Sequence, residues 1–308
     1  MKENPRYDLL IIGAGPAGLT AGIYAGRFKL NTLIMEKAGI GGQIVMSADI
    51  ENYPGFPGGI ATYDLMEKFK KQVDDLEVRI EYSEAGEISA IPAGFVLKST
   101  AGTYETKALI VACGAQPKRL GVAGEEKFIG HGVSYCGVCD APMFKDKFIL
   151  VIGGGDRAVE EALYLARYAC GVTIVHRRDS LRASRILEDK AKDDPKISFV
   201  LDSVVEEITG GDRVEGVTVK NLKTGLLKQL PCQGIFIFVG IQPNTGFIKK
   251  MLNIDESGFI ITDQHLATSL PGIFACGDCL KKSLYQVVNA CAEGALAAYS
   301  AHKYLMEI

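Results

Sequence analysis

Residues 7–18 read YDLLIIGAGPAG and decide the fold of the first part of the chain. The short apolar run from Tyr7 to Ile12 leads directly into a glycine-rich turn. An amphipathic helix pattern follows, and then a second apolar stretch, Asn31 to Met35, which ends at Glu36. The order of strand, glycine turn, helix and strand is typical of a dinucleotide-binding βαβ unit, so we predict such a unit here.

The same pattern occurs a second time farther along the chain. Residues 147–158 read KFILVIGGGDRA, and a helix pattern through Tyr168 and a strand from Val172 to Val175 follow. Gly13 precedes Glu36 by 23 positions, and Gly153 precedes His176 by the same 23 positions. In each copy the glycines allow a tight turn and let N–H groups at the helix start approach a pyrophosphate. Two copies with equal spacing predict two dinucleotides.

The residue that ends the second strand of each unit indicates which nucleotide fits. Glu36 can accept hydrogen bonds from ribose hydroxyls and would repel a 2′-phosphate, so the first unit is expected to hold FAD or NAD. The second unit instead reads HRRDSLR from His176 to Arg182. Guanidinium groups suit a phosphate dianion through charge-assisted hydrogen bonds, which favours NADPH over NADH. Surface arginines at a solvated helix start are the alternative interpretation.

The segments around the second unit predict that it is an insertion. A helix pattern from Ile60 to Asp75 and short alternating runs up to Ala112 continue the first domain. A strand from Gly272 to Cys276 and an Ala-rich helix from about Leu284 to Leu305 complete it. We therefore expect an α/β fold with two Rossmann-like dinucleotide-binding domains, the second inserted into the first. The chain would cross between them near residues 116–117 and 240–245, which could act as hinges.

Cys136 and Cys139 form a Cys-x-x-Cys motif inside the predicted insertion. A disulfide relay needs two thiols that close without backbone strain, and a helix start lowers the thiol pKa and populates the attacking thiolate. Zinc is the main rival use of this motif, but a structural zinc site needs four ligands in close pairs, and only His131 lies nearby. We expect a redox pair and no metal site. A second motif, Cys276 to Cys279, leaves a further redox role as an open hypothesis.

Composition narrows the class of protein. The 308 residues are 47% apolar with a formal net charge of −3, which indicates neither a nucleic-acid partner nor an anionic membrane surface. The uncharged stretch from Leu9 to Gly26 has too many glycines for a membrane span. A chain this long needs no disulfide staples, so most of its eight cysteines are expected to be free thiols in the cytoplasm. Cys170, Cys232 and Cys291 lie on apolar runs and are predicted to pack in the core.

With these motifs the chain resembles bacterial-type low-molecular-weight thioredoxin reductase from Tyr7 to the C-terminal helix. The matching segments are GAGPAG (13–18), GGQ (41–43), Glu51-Asn52, CGVCD (136–140), GGGDRA (153–158), HRRDSLR (176–182) and GIFACGD (272–278). The resemblance implies FAD and NADPH as cofactors, a homodimer, and a thioredoxin-like small protein as electron acceptor. It also implies an FAD-binding domain of residues 1–116 and 246–308 and an NADPH-binding domain of residues 117–245 that carries the redox cysteines.

Site residues are expected on the same basis. For FAD they are Gly13, Gly15, Pro16, Ala17, Gly18, Glu36, Gly42, Gln43, Asn52, Asp278, Gln286 and Val287. For NADPH they are Gly153, Gly155, Ala158, His176, Arg177, Arg178 and Arg182. The resemblance implies that Cys139 faces the flavin and that Cys136 attacks the substrate disulfide. Asp140 is the expected proton donor or acceptor, with a helix-capping carboxylate as the alternative.

The chain departs from the family pattern at a few positions. Cys113 stands where threonine is usual, Tyr285 stands where arginine often precedes the glutamine, and Arg157 replaces a small hydroxyl residue. None of these changes removes a predicted catalytic group.

Rival functions share the scaffold. A flavin-dependent NADPH reductase of ferredoxin, oxygen or another non-thiol acceptor would not need the cysteine pair. A reductase of another small protein disulfide is a further alternative. The reductase partner of a peroxidase would carry an N-terminal thioredoxin-like extension, whereas the first strand here begins at Tyr7. A non-catalytic redox sensor would not need both nucleotides.

The expected domain arrangement predicts a motion. The cysteine pair and the NADPH site share the inserted domain, so nicotinamide and disulfide would compete for one flavin face. We therefore predict a large rotation of that domain about its two crossings, between two working states.

Overall fold

The computed structural model describes residues 4–46 and 49–308, apart from the side chains of residues 46, 138 and 139. The strands are β1 (Arg6–Ile12), β2 (Thr32–Glu36), β3 (Asp49–Ile50), β4 (Ile60–Ala61), β5 (Arg79–Tyr82), β6 (Ala85–Ile91), β7 (Gly94–Ser99), β8 (Thr103–Val111), β9 (Ala115–Pro117), β10 (Val133–Ser134), β11 (Phe148–Ile152), β12 (Gly171–Val175), β13 (Ile197–Val200), β14 (Ser203–Gly210), β15 (Val214–Asn221), β16 (Leu227–Pro231), β17 (Gly234–Ile237), β18 (Ile241–Pro243) and β19 (Ile273–Ala275). The α-helices are α1 (Pro16–Arg27), α2 (Thr62–Asp75), α3 (Glu125–Phe128), α4 (Gly137–Asp140), α5 (Asp156–Ala166), α6 (Arg185–Asp193) and α7 (Val287–Glu307), with 3₁₀ turns at Gly42–Met46 and Ala141–Phe144.

The chain divides into two compact units, Met1–Gln116 with Gln242–Ile308, and Pro117–Ile241. Each unit encloses its own apolar cores: one large core lies in the first unit, and two smaller cores lie in the second. Strands β9 and β18 pair with each other where the chain crosses between the units.

The first unit is built on a largely parallel sheet with the order β5-β2-β1-β8-β7-β6, and β19 also pairs with β8. The strands β5, β2, β1, β8 and β19 run parallel, whereas β7 and β6 are antiparallel additions. Strand β1 is hydrogen-bonded to β2 on one side and to β8 on the other. The carboxyl end of β1 therefore lies at a crevice where the connections to the two sides diverge. Nucleotides bind in such a crevice in open α/β sheets.

The second unit repeats this arrangement. Its parallel sheet has the order β10-β17-β11-β12-β13, with β11 between β12 and β17, and an antiparallel sheet β14-β15-β16 accompanies it. The predicted α/β fold class, with two Rossmann-like domains and the second inserted into the first, is confirmed.

The predicted elements agree with the observed ones closely, with local corrections. The helix expected from Ile60 begins at Thr62, because Ile60–Ala61 pairs as β4 with β3. The helix expected from Leu284 begins at Val287. None of the helices within the described residues is long and apolar enough to cross a membrane.

Candidate functional site

The first glycine turn connects β1 to α1 by close backbone packing. Gly13 has a φ of +111°, which favours glycine, and its N–H donates to the carbonyl of Met35 at 2.8 Å. A Cβ at Gly18 would overlap with the carbonyl oxygen of Gly13, so the helix lies directly on the turn. Gly15 differs from both, because the nearest atom to a Cβ there would be 3.8 Å away. The turn therefore presents its middle glycine as an accessible backbone surface at the start of α1.

Other predicted residues of the first unit gather around this turn. The Oε2 atom of Glu36 accepts a hydrogen bond from the Ala14 N–H at 2.7 Å. The Gly41 N–H donates to the carbonyl of Ala14 at 2.9 Å, which brings Gly42 beside Gly15. The structure thus brings together two segments that are far apart in the sequence.

Five more predicted residues of the first unit have described neighbours, and two of them, Gln286 and Val287, lie at the start of α7. The amide of Asn52 donates to the Gln286 side chain at 3.1 Å, and Val287 is the first residue of α7. Asp278 follows Gly277, where a Cβ would lie 2.9 Å from the Cβ of Ala17. Gln43 donates to the carbonyl of Ala115.

An ion pair that sequence reasoning missed holds the Gly277–Asp278 loop. Glu293 on α7 accepts hydrogen bonds from the Gly277 N–H at 2.8 Å and from the Lys282 ammonium. The side chains of Lys282 and Glu293 are only 9% and 16% exposed, and the Lys282 ammonium is 4.0 Å from Asp278. A buried pair of this kind fixes loop geometry at the cost of desolvation. No local pattern links these positions in the sequence.

The second glycine turn repeats the first in detail. The Gly153 N–H donates to the carbonyl of Val175 at 3.1 Å, as Gly13 does to Met35. A Cβ at Gly153 would lie 2.9 Å from the Cβ of Ala158, whereas one at Gly155 would have no neighbour within 4 Å. Neither α1 nor α5 receives a side-chain cap from the described residues. The N-terminal N–H groups of both helices are thus oriented toward accessible space, as an anion site requires.

His176 and the arginines after it lie beside the second turn. The His176 ring packs against Gly154, and its Nε2 atom is buried without a hydrogen-bond partner among the described residues. Burial, followed by the charges of Arg177, Arg178 and Arg182, lowers the pKa of His176. All three arginines are exposed. The segment therefore offers a cationic surface around a buried imidazole.

The Cys-x-x-Cys motif begins at the end of β10. The Ser134 hydroxyl accepts a hydrogen bond from the Cys136 N–H at 3.0 Å and donates to the Cys136 carbonyl at 3.1 Å. Cys136 is 7% exposed and disulfide-bonded. The Cys139 side chain lies outside the described part of the chain, although its backbone belongs to α4.

Asp140 ends α4 and occupies the cap position of the following 3₁₀ turn. Its side chain makes no capping hydrogen bond to described residues. The capping alternative for this carboxylate is therefore not supported by the local geometry.

Glu161 on α5 is a candidate site residue that the sequence analysis did not identify. It is 3% exposed, and a Cβ at Gly137 would overlap with its carboxylate. Burial raises the pKa of Glu161 to about 7. The signal was present, because Glu161 lies three residues after Ala158 and four before Leu165, both buried, which places an acid on the core face of the helix.

The six other cysteines with described side chains are free. Cys276 and Cys279 are fully buried, and the Cys279 sulfur accepts a hydrogen bond from the Cys113 thiol. This hydrogen bond and burial raise the pKa of Cys113, and burial raises that of Cys276. Cys232 packs in the core as predicted, but Cys170 is exposed and Cys291 is half-buried, because both apolar runs present these positions outward.

Comparisons with known proteins agree with this geometry. The sequence profile described as pyridine nucleotide-disulphide oxidoreductase matches residues 7–294. Thioredoxin reductase from Listeria monocytogenes is 47% identical and covers 99% of this chain and 96% of its own length. Thioredoxin reductase from Bacillus subtilis is 41% identical, with 100% and 98% covered. The crystal structure of Lactococcus lactis thioredoxin reductase has a TM-score of 0.96 at 43% identity, over 98% of this chain and 100% of that one.

Proposed function

The chain belongs to the pyridine nucleotide-disulphide oxidoreductase family, and on this premise we propose that it is a thioredoxin-disulfide reductase. Its cofactors are FAD and NADPH. The observation that carries the proposal is a disulfide-bonded Cys136 whose neighbour Gly137 packs against Glu161 on α5, the helix that follows the second glycine turn. A disulfide-bonded pair beside a nucleotide site suits electron transfer to a protein disulfide better than transfer to a non-thiol acceptor.

The first unit fits FAD. The accessible face of Gly15, the start of α1, which no described side chain caps, and the Glu36 carboxylate offer a pyrophosphate site and a ribose acceptor in one place. We propose that the remaining predicted residues hold the flavin: Gly13, Pro16, Ala17, Gly18, Gly42, Gln43, Asn52, Asp278, Gln286 and Val287.

The second unit fits NADPH. The open space at Gly155 and the buried Nε2 atom of His176, which has no hydrogen-bond partner in the described part of the chain, are not accounted for by packing among the described residues. We propose that Gly153, Gly155 and Ala158 shape the pyrophosphate site, and that Arg177, Arg178 and Arg182 bind the 2′-phosphate with His176 beside them. The proposed FAD-binding domain is residues 1–116 and 246–308, and the proposed NADPH-binding domain is residues 117–245.

When bound, FAD carries two electrons from the nicotinamide to the disulfide. We propose that these electrons break the bond between Cys136 and Cys139, with Cys139 on the flavin side. The Cys136 thiolate then attacks the substrate disulfide and forms a mixed disulfide. Cys139 attacks the Cys136 sulfur, which releases the reduced substrate and restores the original bond. Asp140 is the proposed group that supplies the leaving sulfur with its proton.

Membership of the same family supports three further proposals, on the acceptor, the assembly and the compartment. We propose a thioredoxin-like small protein as substrate, a homodimer as the working form and the cytoplasm as its location. Six free cysteines among the described residues support a reducing compartment. We also propose that the inserted domain rotates about its two crossings during turnover.

Anaerobic reduction of the purified yellow protein tests the function. NADPH is added to wild type, Cys139→Ser and Cys136→Ser, followed by a thioredoxin and a colorimetric disulfide. We expect the flavin to bleach in all three proteins and the disulfide to be reduced only by wild type. A parallel titration with NADH should bleach the flavin more slowly.

Other outcomes would redirect the proposal. Bleaching without thioredoxin turnover in wild type would overturn the acceptor and keep the cofactors. Absence of bleaching with NADPH would overturn the role of the segment from His176 to Arg182. Full turnover by the Cys139→Ser variant would overturn the relay.

A further inference from the structure

Glu161 lies on α5, in contact with Gly137 of the Cys-x-x-Cys motif, and it has no part in the steps proposed above. It is 3% exposed, and neither carboxylate oxygen has a hydrogen-bond partner among the described residues. Burial without a partner strongly disfavours the ionised form of a carboxyl group. A glutamine or an apolar residue would avoid this cost at the same place in the fold.

The carboxyl group contacts the redox motif itself. Gly137 directly follows Cys136, and it approaches Glu161 so closely that a Cβ there would overlap with Oε2. The Gly137 amide does not meet hydrogen-bond geometry with either oxygen, and it is the backbone group that weakly favours the ionised form of Glu161 against the larger effect of burial. One peptide unit therefore separates the carboxyl group from the residue that carries the reactive sulfur.

The surroundings of Glu161 hold few charges. Arg157 and Glu160 on the same helix act in opposite directions, the arginine lowering the pKa of Glu161 and the neighbouring acid raising it. Arg157 lies over the Phe238 ring at 5.4 Å and is 3.5 Å from the carbonyl of Tyr135. The group of α4 that faces Glu161 is the Gly137 amide. The strands β11, β12 and β13 and the helix α6 pack apolar side chains against α5. In such a medium a new charge on a nearby sulfur acts strongly on the carboxyl group.

We propose that Glu161 is a positioning residue that sets the charge of Cys136 in the reduced enzyme, by exchanging its own proton with solvent. Two electrons break the disulfide of Cys136, and its sulfur either remains a thiolate or takes a proton. While Glu161 is protonated and neutral, the thiolate is tolerated. Once Glu161 is ionised, two adjacent negative charges repel each other and Cys136 keeps its proton as a thiol. The pair thus holds at most about one negative charge near neutral pH.

The reactivity of the Cys136 thiolate tests this inference without the nicotinamide or a thioredoxin. In Cys139→Ser protein reduced by a small dithiol, the alkylation rate of Cys136 by iodoacetamide is followed by mass spectrometry, with and without Glu161→Gln. The range of about pH 5 to 9 brackets the carboxyl and thiol pKa values. We expect equal rates at the acidic end. On the alkaline side the Glu161→Gln protein should react about threefold faster or more, since one pKa unit is a tenfold change in thiolate.

The matched control is Glu160→Gln, which removes the same charge from an exposed position on the same helix. Because Glu160 raises the pKa of Glu161, Glu161 should ionise at lower pH in this variant. The effect of that ionisation on the alkylation rate of Cys136 should therefore remain and appear at lower pH. A rate ratio between the Glu161→Gln and parent proteins that is constant across the pH range would overturn the proposal.

A spectroscopic measurement on the wild-type chain covers the case in which Glu161→Gln fails to fold. The infrared carbonyl band of a buried protonated carboxyl should titrate near neutral pH, and its midpoint should move upward when the disulfide is reduced. An unchanged midpoint on reduction would overturn the coupling. The inference rests on the proposed function only for its redox cycle, and neither measurement depends on which protein accepts the electrons.

Discussion

At the residue scale, the buried carboxyl group of Glu161 makes the stability of the protein depend on pH. The pKa of Glu161 is raised to about 7 in the folded chain, from an ordinary value of 4.5 for a glutamate side chain. Between these two values the folded state holds a proton that the unfolded state releases, so the free energy of unfolding falls as pH rises. The penalty is absent below about pH 4.5 and complete above about pH 7, and it amounts to up to about 3 kcal/mol.

Glu161→Gln should therefore stabilise the protein at pH 8 relative to wild type by more than it does at pH 4.5. Thermal unfolding of both proteins at the two pH values measures this, and the difference between the midpoints should widen by several degrees on the alkaline side. Glu188→Gln on α6, which removes an exposed ion pair with Lys192, is the control. A midpoint difference that is the same at both pH values would contradict the buried carboxyl as its cause.

The local geometry that the sequence predicted well is the backbone geometry of the two glycine turns, which depends on near neighbours in the chain. Gly13 and Gly153 make the same hydrogen bond because a tight turn between strand and helix leaves little choice of geometry. Glu161 and Glu293 were missed because their surroundings come from other elements. An acid on the core face of a helix is visible in the sequence, but the residues of other elements that surround it are not.

At the element scale, the packing of α1 against α7 positions the first glycine turn. A Cβ at Gly294 on α7 would overlap with the carbonyl oxygen of Ala17 on α1. Alanine is the better helix former by about 1 kcal/mol, but this overlap is with backbone, which yields less than a side chain. We expect overpacking to dominate, so Gly294→Ala should destabilise the first unit by about 1–3 kcal/mol.

The FAD content of the purified protein is the direct measurement. Gly294→Ala should retain less flavin, because moving α7 displaces Val287 and Ala17 together. Gly246→Ala is a matched control in the same unit, since a Cβ there would meet nothing within 4 Å. Equal flavin content in the two variants would show that the helix contact does not position the turn.

Elements were predictable where a periodic pattern lies within one segment. The strands β1, β2, β11 and β12 agree with the predicted ones within about one residue, because buried parallel strands form continuous apolar runs. Strand β4 was predicted as helix because two residues carry no period of their own and pair only with β3. The start of α7 was placed early because nothing in residues 284–286 excludes helix.

At the scale of the whole molecule, the cores belong to separate parts of the chain. The largest core is made from residues on both sides of the insertion, whereas the two smaller cores use only residues within Pro117–Ile241. The second unit is one continuous segment with a complete parallel sheet. Its length falls in the range in which single domains fold alone.

We therefore expect the segment 117–241 to fold by itself and to bind NADPH without any flavin. The glycine turn, His176 and the three arginines all lie within it, so its affinity should survive the loss of the first unit. Far-ultraviolet circular dichroism with cooperative thermal unfolding tests folding, and calorimetric titration with NADPH and NADH tests binding.

The double variant Arg177→Gln, Arg178→Gln should lower the affinity of the segment for NADPH about tenfold or more and leave its affinity for NADH nearly unchanged. A folded segment with equal affinity for the two nucleotides would keep the domain boundary and overturn the 2′-phosphate site, while an unfolded segment would mean that the insertion depends on the first unit for its stability.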